Sequence, residues 1–150
     1  MGNKAIFLDR DGTLIDFVPY LRHTERVKLK KDVVKRAKFF QDMGYLIVII
    51  TNQSGISRGL LTLEDYEQVN ARMLSLLKEE GLRVDAVYHC DSSDDSNERR
   101  KPNPGMLWEA SKELDIDLEN SVMVGDRDID IECGERAGCG YCFLVTRFLE

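Results

Sequence analysis

The chain has 150 residues, of which 43% are hydrophobic and 32% charged, the balance of a globular and not of a disordered protein. We expect residues 1–150 to form a single domain with one core. The net charge of −6 argues against a broad nucleic-acid or anionic-membrane surface, so nucleic-acid binding is not expected. Because no apolar run approaches the ~20 residues that span a bilayer, and Asp9 interrupts the first one, the sequence predicts a cytoplasmic protein.

Strands and helices alternate along the chain. The run 5–8 predicts a short buried strand, an apolar stripe at helical spacing follows over 32–43, and 45–50 reads as a second buried strand. A helix with Thr62 as N-cap ends at Gly81, and a third strand covers 84–88. The remaining predicted elements are a helix with Asn103 as N-cap and Pro104 in its first turn, a strand over 121–124, a short helix near 128–137 and a strand over 141–145.

Repeated strand–helix units predict an α/β fold, a doubly wound parallel five-stranded sheet with helices on both faces. Residues 16–31 and 91–101 show no periodicity, and we expect 16–31 to form a hairpin or turn over the site. Because no long insertion separates the polar segments described next, the cap over the site should be minimal or absent. In such a sheet, ligands bind beyond the carboxyl ends of the strands, where the strand order reverses.

Asp9 and Asp11 follow the first strand directly. Residues two apart in extended backbone point to one side, so both carboxylates should enter one pocket, where they need a cation or a shared proton. Oxygen ligands of this kind suit Mg²⁺. Gly12 and Thr13 should turn the chain and offer backbone N–H groups to an anion. The alternative is a solvated acidic turn that only ends the strand.

Three further polar segments follow later strands. Thr51–Ser54 brings a hydroxyl and two amides, and Lys101 stands before a proline that favours extended backbone. Asp126 and Asp130 lie one helical turn apart, so one could complete a magnesium site while the other orients Lys101 or a water. Phosphoryl transfer depends on such positioning and charge neutralisation, and a carboxylate can attack phosphorus to form an aspartyl-phosphate.

In order, these segments resemble the DxDGT, Thr/Ser, Lys and GDxxxD motifs of the haloacid dehalogenase (HAD) superfamily. The resemblance implies a Rossmann-like HAD fold and a magnesium-dependent phosphatase. It further implies Asp9 as nucleophile and Asp11 as general acid/base, and places Thr51 and Lys101 on the phosphoryl group. Magnesium would be held by Asp9, by Asp11 through its backbone carbonyl oxygen and by Asp126, with Asp130 next to these ligands and not bound to the ion.

Closer similarity is to the D-glycero-D-manno-heptose 1,7-bisphosphate phosphatase and histidinol-phosphatase group, in Thr51–Ile56, Arg100-Lys101-Pro102 and Pro104–Met106. That resemblance implies a small phosphorylated sugar as substrate, above all this heptose bisphosphate at its 7-phosphate. The implied substrate-binding residues are Thr51, Asn52, Gln53, Ser54, Arg100, Lys101 and Arg127. From their charge we also expect Arg58 and Arg99 to help hold a second anionic group.

The chain departs from this group in two places. Its zinc loop needs four Cys and His ligands, whereas only Cys90 remains here, so zinc is not expected. Residues 17–20, Phe-Val-Pro-Tyr, replace a segment that touches the sugar in the group. The second departure leaves the natural substrate open.

Other functions compete with this interpretation. A histidinol-phosphate phosphatase fits the same motifs, and a polynucleotide 3′-phosphatase shares Thr51-Asn52-Gln53 and Arg100-Lys101-Pro102, although the acidic charge balance counts against it. A phospho-accepting receiver domain would carry its aspartate after the third strand, where Asp91 is a weak candidate, and would leave Asp126 unexplained. We expect a monomer with a small-molecule substrate and no membrane partner.

Overall fold

The computed structural model describes residues 2–150 and contains one sheet of five parallel strands. The strands are β1 (Ala5–Leu8), β2 (Leu46–Asn52), β3 (Ala86–Cys90), β4 (Val122–Gly125) and β5 (Tyr141–Leu144), in the spatial order β3-β2-β1-β4-β5. The helices are α1 (Lys31–Asp42), α2 (Leu63–Glu79), α3 (Gly105–Leu114), α4 (Asp128–Ala137) and the four-residue α5 (Val145–Phe148). The predicted doubly wound α/β sheet is confirmed.

Side chains that alternate along β1 define the two faces of the sheet. Ile6 and Leu8 pack with α1, α2 and α5, whereas Ala5 and Phe7 pack with α3 and α4. All four residues are fully buried, because the sheet is covered on both sides. The strand order reverses between β1 and β4, and the carboxyl ends of these two strands therefore border the expected binding crevice.

The predicted boundaries differ most from the structure near polar residues. β2 covers Leu46–Asn52 and not 45–50. β3 covers Ala86–Cys90 and not 84–88, because His89 and Cys90 continue the ladder opposite Thr51 and Asn52. Helix α3 begins at Gly105 with Pro104 as its N-cap. The Asn103 amide, predicted to be the cap, instead donates to the backbone oxygens of the preceding loop, at Asp95 and Asn97.

The segment between β1 and α1 forms a closed turn. Ile15 pairs with Leu29 in an isolated antiparallel bridge, the backbone N–H of Asp16 donates to Lys28, and a short 3₁₀ helix covers Thr24–Arg26. This agrees with the expected small hairpin or turn. None of the helices in residues 2–150 is long and apolar enough to cross a membrane.

Candidate active site

A buried lysine joins two of the polar segments. The Lys101 Nζ lies 2.7 Å from Asp9 Oδ1 and 2.7 Å from Asp130 Oδ1, and it donates a third hydrogen bond to the Ile50 carbonyl at 3.0 Å. Lys101 is 2% exposed. A buried ammonium is tolerated only when it is paired in this way, so these contacts fix both the charge and the position of Lys101.

The Asn52 side chain fixes the backbone of Lys101. Its amide nitrogen donates to the Lys101 carbonyl at 3.1 Å, and its amide oxygen accepts from the Lys101 backbone N–H at 3.0 Å. These two bonds connect the end of β2 with the loop that precedes α3. The Asn52 amide is therefore already engaged by the protein, although the residue also borders the cavity described below.

The charges in this cluster are unbalanced. Burial raises the pKa of the Asp9 carboxyl well above its usual range; Lys101 opposes this effect and the charge of Asp130 adds to it. Burial alone would lower the pKa of Lys101, but the carboxylates of Asp9 and Asp130 outweigh burial and raise it. With Asp126, three carboxylates thus face one ammonium.

The carboxylates of Asp9 and Asp126 fit a magnesium ion, with Asp130 close beside them. One oxygen each from Asp9, Asp126 and Asp130 lies within 4.8 Å of the others, and within residues 2–150 the buried Asp126 Oδ1 has no hydrogen-bond partner. A Cβ on Gly12 would stand 2.1 Å from Asp126 Oδ2, so only a glycine lets this carboxylate approach the turn after β1. Oxygen donors and excess negative charge are what Mg²⁺ requires.

Asp11 lies in a separate set of contacts. The Arg10 guanidinium donates to both of its carboxylate oxygens at 3.1 Å, and Gln53 Nε2 donates to Asp11 Oδ2 at 3.0 Å. The same Gln53 nitrogen lies 2.9 Å from the hydroxyl of the fully buried Thr51. Arg10 is not among the predicted site residues, since its position between two acids resembles that of an ordinary turn residue.

The turn after Asp11 differs from the expectation. The Gly12 N–H donates to the Ile15 carbonyl at 2.8 Å and the Thr13 N–H to the Arg10 carbonyl at 3.2 Å. The prediction that these two amides are offered to an anion is therefore wrong. They close the turn instead, with Gly12 at a φ of 84° that favours glycine.

A cavity of about 750 Å³ opens over the carboxyl ends of the strands. It brings together Asp9, Asp11, Lys101, Asp126 and Asp130 at the sheet. The predicted residues Asn52, Gln53, Ser54, Arg100 and Arg127 also line it, whereas the buried Thr51 lies behind Gln53.

The four arginines expected around an anion divide into two pairs. Arg100 and Arg127 line the cavity, and Arg100 Nε lies 3.1 Å from Asp95 Oδ1. Asp95 also lines the cavity, and it was not predicted because loop 91–101 has no periodicity. Arg99 instead donates to the His89 carbonyl and to Glu109. For Arg99 and for the exposed Arg58, which lies outside the cavity lining, the prediction is wrong.

Residues 17–21, here called the mouth segment, form the outer wall of the cavity. Phe17 is 67% exposed and Tyr20 is 47% exposed. Tyr20 packs over Gly55, where a Cβ would come within 2.7 Å of the tyrosine ring. The mouth therefore offers apolar and aromatic surface, in contrast to the charged inner end.

Loop 91–101 is held by its own polar groups. The buried Cys90 Sγ lies 3.8 Å from Asn97 Oδ1, which also accepts from the Arg99 backbone N–H at 2.9 Å. Asp94 Oδ1 accepts from both the backbone and the hydroxyl of Ser96. These hydrogen bonds hold the turns of the loop.

Comparisons with known proteins agree on one class of enzyme. A family model described as HAD-hydrolase-like matches residues 98–147. The D-glycero-alpha-D-manno-heptose-1,7-bisphosphate 7-phosphatase of Photorhabdus laumondii is 39% identical over 150 residues, covering 95% of this chain and 82% of that protein. The D-glycero-beta-D-manno-heptose-1,7-bisphosphate 7-phosphatase of Helicobacter pylori J99 is 40% identical, covering 97% and 84%.

A solved structure extends this similarity to the fold. The D,D-heptose 1,7-bisphosphate phosphatase of B. bronchiseptica, complexed with magnesium and phosphate, matches with a TM-score of 0.84 at 29% identity. The match covers 92% of this chain and 78% of that one.

Proposed function

The chain belongs to the HAD-like phosphatases and is a phosphoric monoester hydrolase, and from this premise we propose that it removes the 7-phosphate of D-glycero-D-manno-heptose 1,7-bisphosphate. The proposed reaction depends on magnesium and passes through an aspartyl-phosphate on Asp9. The observation that carries this proposal is the buried contact of Lys101 with Asp9 and Asp130 at the inner end of a cavity bordered by Arg100 and Arg127.

In the first step, an Asp9 carboxylate oxygen attacks the phosphorus of the 7-phosphate. The bond from phosphorus to the sugar oxygen breaks as the protonated Asp11 carboxyl transfers its proton to that oxygen. Lys101 holds Asp9 in place and neutralises negative charge beside the phosphoryl oxygens. The buried Thr51 hydroxyl accepts from Gln53 and so holds the Gln53 amide beside Asp11.

In the second step, water attacks the phosphorus of the aspartyl-phosphate. Asp11, now a carboxylate, takes the proton of the water, and the Asp9 carboxylate leaves with the electron pair of the broken bond. The products are the sugar hydroxyl and inorganic phosphate, and both aspartates return to their starting protonation states. Arg10 and Gln53 donate hydrogen bonds to the Asp11 carboxylate. These bonds hold Asp11 at the cavity wall in both steps.

Asp9, Asp126 and the Asp11 carbonyl would hold the magnesium ion, with Asp130 beside them on Lys101. When bound, the ion supplies positive charge that offsets the developing charge on the phosphoryl oxygens. Asp130 cannot turn freely toward a metal, because Lys101 and the Arg127 backbone N–H both donate to it, at 2.7 and 3.2 Å. We therefore assign Asp130 the task of orienting Lys101.

Substrate choice follows from the second phosphate. Arg100 and Arg127 border the same cavity as the Lys101 cluster, and arginine pairs with phosphate through two parallel hydrogen bonds. A bisphosphate offers a second phosphate to these arginines, whereas a monophosphate ester does not. The anomer is a separate question, because the two relatives at 39% and 40% identity carry the names of different anomers.

A substrate panel with magnesium tests this proposal. The α and β anomers of heptose 1,7-bisphosphate, histidinol phosphate, sugar monophosphates and a 3′-phosphorylated oligonucleotide are compared by phosphate release. We expect a heptose bisphosphate to have the highest kcat/KM and Arg100→Ala to lose mainly that preference. If histidinol phosphate led, the substrate assignment would be wrong; if the oligonucleotide led at moderate salt, the small-molecule assignment would be wrong as well.

A further inference from the structure

Arg10 is the largest side chain that is fully buried in this protein, at 1% exposure. Burying a guanidinium is costly unless its charge is compensated, so its partners indicate what it does. Its Nε and Nη2 donate to the two carboxylate oxygens of Asp11, each at 3.1 Å. This paired geometry fixes the plane of the carboxylate as well as its distance.

An aromatic ring also contacts the Arg10 guanidinium. The Cζ of Arg10 lies 5.6 Å from the ring centroid of Tyr66, which α2 contributes and which is 4% exposed. Tyr66 in turn contacts His89 of β3, with ring centroids 4.4 Å apart at an interplanar angle of 32°. Arg10 is thus supported by two elements of the packed core.

We propose that Arg10 is a positioning residue that orients the Asp11 carboxylate, and that Tyr66 keeps Arg10 in place. The inference rests on the proposed function, since it assumes that Asp11 is the acid/base. Gln53 adds a third hydrogen bond at 3.0 Å, so the carboxylate is held from two directions. A lysine at position 10 could donate to one oxygen at a time and would leave the carboxylate free to rotate.

Two substrates separate positioning of Asp11 from a general structural role. An alkyl phosphate such as a sugar phosphate needs a proton on its leaving oxygen, whereas p-nitrophenyl phosphate releases a stable phenolate without one. Because kcat/KM covers the steps up to phosphorylation of Asp9, it includes the step in which Asp11 acts as an acid and excludes the later hydrolysis in which Asp11 acts as a base. A misplaced Asp11 therefore slows the alkyl substrate and leaves the aryl substrate nearly unchanged.

The experiment measures kcat/KM for both substrates with magnesium in the wild type, Arg10→Met and Arg10→Lys. We expect Arg10→Met to lower kcat/KM by about 10- to 100-fold for the alkyl phosphate, the loss that follows when a catalytic group is slightly displaced. For the aryl phosphate we expect a loss of less than about 3-fold. Arg10→Lys should fall between the wild type and Arg10→Met. Equal losses on both substrates would overturn the proposal.

Tyr66 provides a second test that does not remove a buried charge. Tyr66→Leu should change the alkyl-to-aryl ratio in the same direction as Arg10→Met, and Tyr66→Phe, which keeps the ring, should restore it. Tyr45→Leu is the matched control, since Tyr45 also lies under a cation, Lys4 at 5.4 Å, outside the cavity lining. If Arg10→Met does not fold, the Tyr66 pair decides, and a ratio that Tyr66→Leu leaves at the wild-type value overturns the proposal.

The proposed function and this inference fail in different ways. If the wild-type enzyme hydrolyses neither substrate, there is no acid–base role for Asp11, and the proposed function and the inference are both overturned. A wild-type enzyme that hydrolyses both, with ratios unchanged in all variants, overturns the role of Arg10 alone.

Discussion

At the inner end of the cavity, Lys101 lies 2.7 Å from both Asp9 and Asp130 and is 2% exposed, whereas at the mouth Phe17 is 67% exposed. The inner groups follow strands or precede and begin helices at one edge of the sheet, and Asp9, Lys101 and Asp130 are held there by hydrogen bonds to one another. The mouth consists of residues 17–21 together with Asp95, Arg100 and Arg127, and it combines apolar surface with the charge of two arginines.

This difference separates the chemistry from the choice of substrate. Groups that transfer a phosphoryl unit must be positioned before the substrate arrives, and burial with fixed partners achieves this. Groups that recognise the rest of the substrate act at the surface, where a loop can change without disturbing the sheet. The largest mutational effects should therefore lie at the inner end and the more selective ones at the mouth.

The largest expected effect is that of Asp9→Asn. An amide cannot act as the nucleophile, so turnover should fall by at least ~10⁴-fold, the scale seen when a nucleophile is removed. Steady-state phosphate release with magnesium measures it. Asp16→Asn, an exposed acid outside the cavity lining, is the control and should retain activity. Full activity in Asp9→Asn would contradict the proposed mechanism.

Lys101→Met should cost stability as well as activity. It leaves the buried Asp9 and Asp130 without their ammonium, which for a broken buried ion pair costs about 3–5 kcal/mol of unfolding free energy. Denaturant unfolding of the metal-free protein measures it. The surface pair of Lys38 and Asp42 provides the control, because Lys38→Met should cost less than about 1 kcal/mol. Equal costs would show that the inner cluster is not specially stabilised.

Much of the inner end could be predicted from the sequence, because its polar segments lie between a strand and the helix that follows it. Asp9, Lys101 and Asp126 were placed at one edge of a parallel sheet by the order of apolar runs and polar segments alone. The partners of these groups could not be predicted. That Asn52 holds the Lys101 backbone depends on a contact between residues 49 positions apart, which no local pattern records.

The mouth was harder to predict for a physical reason. Residues 16–31 and 91–101 have no hydrophobic period, so their sequence predicts neither the bridge between Ile15 and Leu29 nor the contact of Arg100 with Asp95. Positive charge alone was also a poor guide to ligand contacts, since the Arg99 side chain donates to the His89 carbonyl and to Glu109 instead of lining the cavity. Arginine recognition of a ligand depends on side-chain direction, which the fold determines.

The two pairs of arginines sharpen the comparison at the mouth. Arg100→Ala and Arg127→Ala should each lower kcat/KM for a bisphosphate by about 10- to 100-fold, the equivalent of one charge-assisted contact, with little change for a monophosphate. Arg58→Ala, outside the cavity lining, should leave this ratio unchanged. The result that contradicts this assignment is an equal loss on both substrates, or a larger loss in Arg58→Ala.

Zinc removal should have the smallest effect. Loop 91–101 is held by hydrogen bonds of Asn97, Asp94 and Asn103, and Cys90 contacts Asn97. A structural zinc contributes folding free energy directly, so its removal lowers the melting temperature. A chelator selective for zinc should leave the Tm unchanged. A drop in Tm, or one tightly bound zinc per chain by elemental analysis, would contradict this prediction.

Direct detection of the phosphorylated nucleophile tests the central claim, that the inner end acts through Asp9. In Asp11→Asn, p-nitrophenyl phosphate can still phosphorylate Asp9, but no base activates the water, so the intermediate should accumulate. Rapid acid quench, proteolysis and mass spectrometry then locate the phosphoryl group. We predict that it is on Asp9, in an amount that matches the p-nitrophenol released in the first turnover. Release of p-nitrophenol with no phosphoryl group on Asp9, or with the group on another residue, would contradict the account.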